Sequence, residues 1–225
     1  MRRLTLLLAV AVGTALVVAV SWGLAACGGD SGEALPTTAG QTTTRAETQA
    51  QAPATNIAEG SLAPGTYDSG PLFEPGLRLT FDEPGWRALF TPDDDELAFE
   101  HEDGRFLAFT RVTRVVDPRT YDDVAAPKDL ARWLSEHPAL QPTEIAPVSV
   151  GGASGTRIDP SPPDTDTNLF WYPTGSMHER PEVRWRIFVV DVHGTPLTIV
   201  FGAPTARFEQ AVKRLEPLLA SVVFD

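Results

Sequence analysis

Cysteine is almost absent: the 225-residue chain holds one, Cys27. A single thiol excludes an intramolecular disulfide framework, and with only four histidines beside it no cysteine-rich zinc cluster can form. Positive charge is also scarce. Eighteen lysines and arginines face thirty aspartates and glutamates, for a net charge of −12. That leaves no surplus for the concentrated basic surface a nucleic-acid backbone requires, so nucleic acid is excluded as a partner. Long apolar runs are missing everywhere except at the start, where residues 4–20 (LTLLLAVAVGTALVVAV) carry no charge at all.

That start is the most informative segment. Arg2 and Arg3 precede the apolar run, and Leu24-Ala25-Ala26-Cys27 follows it, with Gly28-Gly29-Asp30 directly after. A basic n-region, an apolar core and small residues before the cleavage point make an export signal. Leu-Ala-Ala-Cys resembles the lipobox of bacterial lipoproteins of the actinobacterial type. The resemblance implies cleavage after residue 26, acyl chains on Cys27, and anchorage on the extracytoplasmic face of the cell membrane. Two acyl chains at about 0.8 kcal/mol per buried methylene hold a protein stably where one chain would not. The arginine pair stands at the extreme start without the flanking residues of a twin-arginine signal, which favours general export. Losing both arginines with the signal leaves the mature chain still more acidic.

Residues 27–60 are expected to form a disordered tether. The composition turns to Thr, Ala, Gln, Gly and Pro, with Leu35 and Ile57 as the only large aliphatic residues, too little to bury. As a flexible coil this segment spans roughly 30 Å. Residues 61–225 then supply enough chain for one hydrophobic core and are expected to form a single α+β domain.

Within it, Leu77-Arg78-Leu79-Thr80-Phe81 alternates apolar and polar, and Glu83-Pro84-Gly85 turns the chain into Trp86-Arg87-Ala88-Leu89-Phe90, which reads as two strands about a tight turn. Strands are expected at 96–100 and 105–116 around Asp103-Gly104, a hairpin-forming dipeptide. Further strands are expected at 147–150, 155–159, 183–192 and 197–201, the last two joined through His193-Gly194-Thr195. Leu130, Trp133 and Leu134 give one apolar helical face before Pro138. Phe208, Val212, Leu215 and Leu219 give another, with Thr205 as candidate cap and Pro217 as kink or terminator. The expected fold is therefore a mostly antiparallel sheet covered by two α-helices. Residues 159–167, rich in Pro, Asp and Thr, read as a mobile loop.

The order APGTY…LFEPGLRLTFDEPGW, DLARWLSEHPAL…VSVGGASGTRID and FEQAVKRLEPLLASVVF resembles uncharacterised secreted domains of high-GC bacteria with a PsbP-like α/β/α sandwich. The matching positions (Gly65, Tyr67, Pro84, Gly85, Trp86, Gly151 and Gly152) do structural work, so the resemblance implies docking and carries no catalytic residue.

Chemical motifs fail one by one. Gly152-Ala153-Ser154-Gly155-Thr156 lacks the last glycine of a nucleophile elbow and precedes a strand. Asp164, Asp166 and Asn168 open a calcium loop, but Leu169 and Gly175 stand where glycine and glutamate belong. The acidic runs 93–96 and 100–103 read as solvated turns. His101, His137, His178 and His193 are scattered and read as exposed or capping. No cofactor, metal or catalytic residue is assigned. Phe170, Trp171, Tyr172 and Met177 are the candidate partner or ligand surface, because the aromatic triplet interrupts a Pro/Asp-rich stretch. The chain reads as a non-enzymatic docking or accessory lipoprotein of the envelope with a protein partner; the alternatives are a carrier of a small lipid or glycan and, third, an envelope hydrolase.

Overall fold

The computed structural model describes residues 53–89, 96–161, 167–172, 175–179 and 181–225. In chain order the strands are β1 (Thr55–Asn56), β2 (Gly60–Leu62), β3 (Gly65–Asp68), β4 (Leu77–Phe81), β5 (Trp86–Leu89), β6 (Glu96–His101), β7 (Phe106–Thr110), β8 (Arg114–Val116) and β9 (Asp123–Ala125). After helix α1 (Leu130–Ser135) come β10 (Glu144–Val150), β11 (Ala153–Asp159), β12 (Thr167–Tyr172), β13 (Gly175–Glu179), β14 (Val183–Val192) and β15 (Thr195–Pro204). Helix α2 (Phe208–Ala220) and β16 (Val223–Phe224) complete the chain.

A fully antiparallel eight-stranded sheet, ordered β10-β11-β14-β15-β7-β6-β5-β2, forms the centre. One face carries Leu97 opposite Phe109, Phe99 opposite Leu107, and Phe188 opposite Ile199. This face packs on α2 and on the four-stranded sheet β1-β3-β4-β16, in one core that includes Leu77, Leu79, Phe81 and Phe208. The opposite face presents Ile158 beside Ile187 and Ile187 beside Val200, and packs on α1 and the antiparallel sheet β13-β12-β8-β9. Adjacent residues of β14 thus enter different cores, and both faces are apolar because both are covered.

Local chemistry explains the joints. Gly151 (φ +56°) and Gly152 (φ +83°) make the two-residue turn between β10 and β11, where positive φ at both positions matches strand twist. Gly202 lies under the Trp185 ring, and a Cβ there would sit 2.4 Å from that ring. Asp129 caps α1 by accepting from the Arg132 N–H at 3.0 Å. Phe208, Ala211, Val212, Leu215 and Leu218 form the buried stripe of α2.

Several expectations are corrected. The fold starts by Thr55, not Ser61, since β1 pairs with β3 and Ile57 is buried. Strands β4 and β5 do not pair with each other. The 82–85 turn moves the chain between layers, because the buried faces of both strands line one core, with Phe81 5.2 Å from Trp86. The expected strand 105–116 is two strands, β7 and β8, in different sheets. The mostly antiparallel sheet with two α-helices is met, but among the described residues its strands are divided among three sheets. Thr205 is no cap; a 3-10 turn (Thr205–Arg207) precedes α2. Pro217 neither kinks α2 to a stop nor ends it: it forfeits one backbone bond near the C-terminus, and Leu218 holds the last turn in the core.

Candidate interaction site

The aromatic segment expected at the surface divides. Phe170 (0% exposed) and Met177 (4%) pair across β12 and β13 and fill the second core, so their assignment to an exposed partner surface is corrected. A register irregularity between Asn168 and Phe170 lets consecutive Leu169 and Phe170 both turn inward. The backbone sets Trp171 opposite Ser176 and Arg114, and Tyr172 opposite Gly175; their side chains lie outside the described residues. Cys27, Asp164 and Asp166 lie outside them too. Ser154 is exposed on β11 opposite Ser149, with strand continuing after it.

The structure presents a different aromatic. Strands β8 and β9 form a hairpin whose tip, 117–122, is organised by Asp117. Its carboxylate accepts from the N–H groups of Arg119 (2.8 Å) and Thr120 (3.1 Å), which hold the carboxyl below its ordinary value. Its backbone bonds to Asp122 and Tyr121 close the loop at 2.9 and 2.8 Å. This scaffold holds Tyr121 at φ 63°, a region that costs a side-chain-bearing residue about 1–2 kcal/mol, and leaves it 80% exposed. Beside it β9 is exposed along its length, at the edge of its sheet. Asp117-Pro118 is a turn signal and Tyr121 an isolated aromatic in a polar stretch, yet neither distinguishes a rigid tip from a loose one.

A second assembly sits where the β6–β7 hairpin meets α2. Arg105 is 3% exposed and lies 5.1 Å over the Trp86 ring. Its Nε donates to both Asp103 oxygens (2.9 and 3.0 Å) and its Nη1 lies 2.5 Å from Glu83. The second Glu83 oxygen takes Arg214 at 2.9 Å. Burial pushes the Glu83 and Asp103 carboxyls up; the hydrogen bonds and charge of Arg105 outweigh it, aided by Arg214 at Glu83 and by His101 at both, so both rest below their usual values. For Arg105 burial pulls down and the two carboxylates prevail, raising it. His101 is buried here, 2.7 Å from Asp103 and 3.0 Å from the Pro84 carbonyl, so the 100–103 run is not the solvated turn expected.

His137 is also buried, correcting its exposed reading. Desolvation lowers its pKa against the attraction of Asp117, and the ring packs 4.6 Å from Trp133. Among the described residues no group of three His, Cys, Asp or Glu side chains could hold a metal ion, and no helix is long and apolar enough to cross a membrane.

No family model matches the chain, and no curated protein matches it. Among solved structures, the chain is similar to the solution structure of cyanobacterial PsbP (CyanoP) from Synechocystis sp. PCC 6803: 10% identity, TM-score 0.42, covering 75% of this chain and 95% of that one. It is also similar to LpqN of Mycobacterium tuberculosis, described as involved in cell envelope biogenesis: 12% identity, TM-score 0.29, covering 74% of this chain and 90% of that one. Among the described residues the mostly antiparallel architecture with two α-helices stands on this chain's own strand pairing.

Proposed function

We propose that the chain is a lipid-anchored, extracytoplasmic module of the bacterial envelope, with a PsbP-like sandwich, that docks a protein partner and catalyses nothing. The anchor reading is supported by Arg2, Arg3, the apolar run and Leu24-Ala25-Ala26-Cys27. Docking is carried by one observation, the Asp117-braced tip that holds Tyr121 out in water beside an exposed strand edge. A rigid, amphipathic ring loses little entropy on contact, which is what an interface anchor needs. The net charge of −12 makes the complementary partner a basic protein surface.

A photo-crosslinking residue at position 119, in the same tip as Tyr121 and exposed, introduced in the native host, tests it. One discrete adduct, with partner recovery lost in Tyr121→Ser and kept in Arg87→Ser, is the expected result. Equal recovery by wild type and Tyr121→Ser removes the tip from the reading. Separately, Cys27→Ser is expected to move the protein from membrane to medium; retention in the membrane overturns the acyl anchor.

The second reading, a carrier of a small lipid or glycan, is favoured by a groove of about 570 Å³ along β2 and β5, lined by Leu62, Ala63, Pro84, Trp86, Glu100 and Glu102. A small added mass persisting on the natively extracted protein would move the assignment there.

A further inference from the structure

The Arg105 assembly borders a cavity of about 220 Å³ lined by Asp103, Arg105, Pro204, Arg207, Gln210, Ala211 and Arg214. Three guanidinium groups in one recess is unexpected in a chain of this acidity, and their bonding states differ. Arg214 is shared with Glu83. Arg105 spends Nε on Asp103 and Nη1 on Glu83, while its buried Nη2 has no hydrogen-bond partner. An orphaned donor on a charge this deeply buried is costly unless something accepts from it. Arg207 is exposed and makes no ion pair among the described residues. Gln210 adds an amide.

The acidic groups present do not close the recess to anions. Both Asp103 oxygens already take Arg105 Nε, and His101 lies 2.7 Å from one of them. Glu83 is divided between Arg105 and Arg214. Counting the five side chains leaves one positive charge, and it resides on the arginine without a partner. The 3-10 turn before α2 supplies Arg207 to the lining and the first turn of α2 supplies Gln210 and Ala211; no side chain caps this helix, so its positive end adds to the same field.

We infer that this recess binds a phosphate group. A carboxylate matches one guanidinium fork, whereas donors arriving from Arg105, Arg207, Arg214 and Gln210 suit the several oxygens of a tetrahedral anion. The volume admits a phosphomonoester with a small substituent. Inorganic phosphate and the phosphate of a lipid head present the same chemistry. The site is separate from the Tyr121 tip, and its fate does not depend on the docking reading.

The test uses the full chain in non-ionic detergent, titrated by calorimetry with inorganic phosphate and, in parallel, with short-chain dihexanoyl phosphatidic acid. Saturable binding of either probe, weakened about tenfold by Arg207→Ser as expected for one lost charge-assisted hydrogen bond, supports the site; unchanged binding in Arg87→Ser is the expected control. Arg207 is exposed and holds no ion pair among the described residues, so its variant keeps the test valid where Arg105 substitutions unfold the domain. Tighter binding of the phosphatidic acid assigns a lipid source, and equal binding assigns free phosphate. No saturable heat from either probe, or binding indifferent to Arg207→Ser, overturns the inference.

Discussion

Two arginines with carboxylate partners, one buried and one largely so, solve the same problem differently. Arg186 forms a closed fork with Asp159: Nε donates to one oxygen at 2.7 Å and Nη2 to the other at 2.6 Å, and the side chains are 13% and 5% exposed. The pair joins β14 to the C-terminal end of β11, one strand in from the sheet edge. Arg105 is buried more deeply, yet it divides its donors between two carboxylates and keeps Nη2 without a partner beside a cavity. A fork that matches both carboxylate oxygens one to one reads as structure. An incompletely bonded guanidinium at a recess has binding capacity left, so completeness of bonding, more than burial, separates the two roles.

The sharpest break of this contrast is Asp159→Ala. It leaves Arg186 charged, largely buried and without its main partner, and takes the same carboxylate from Arg157, so a loss of about 3 kcal/mol is expected in urea unfolding; a loss below about 1 would remove the closed pair from the stabilising set. Glu83→Gln is expected to cost less, about 1–2 kcal/mol, since Arg105 retains Asp103. Acid sharpens the comparison further. Glu83 and Asp103 titrate lower folded than unfolded, so their stabilisation is complete above the unfolded values of about 4 and drains away as pH falls through the folded ones. Melting temperature should therefore drop in that acid window, and the drop should be shallower in Glu83→Gln. At the small end stands the exposed Arg87–Glu100 pair on β5 and β6. Arg87→Ser should change stability by under about 0.5 kcal/mol. A larger effect would mean exposure is a poor guide to the worth of these pairs.

Legibility in the sequence follows the range of the interaction. Leu130 with Leu134, the α2 stripe, and the turns at Gly151-Gly152, His193-Gly194 and Asp103-Gly104 are local patterns, and each lies where the residues imply. The layer change after Phe81 is not local: alternation specifies which residues point inward but not which sheet a strand joins. Phe170 and Met177 fail for a related reason, since an aromatic run beside prolines has the same composition whether it lines a groove or closes a core. The arginine clusters are least legible. Glu83, Arg105 and Arg214 are brought together from distant parts of the chain, and a charged residue carries no mark of its burial. Tyr121 stands out only through the bonds Asp117 makes to the tip backbone, which no local pattern announces.

The alternation of β14 between two cores has a consequence for how the domain comes apart. Ile187 and Val189 belong to one core, Phe188 and Val190 to the other. A one-residue slip against β15 would exchange the two sets, and fraying the strand would strip both cores together. The central hairpin therefore makes the two sides thermodynamically inseparable. Trp86, in the first core, and Trp133, against the second, should report a single, coincident unfolding transition.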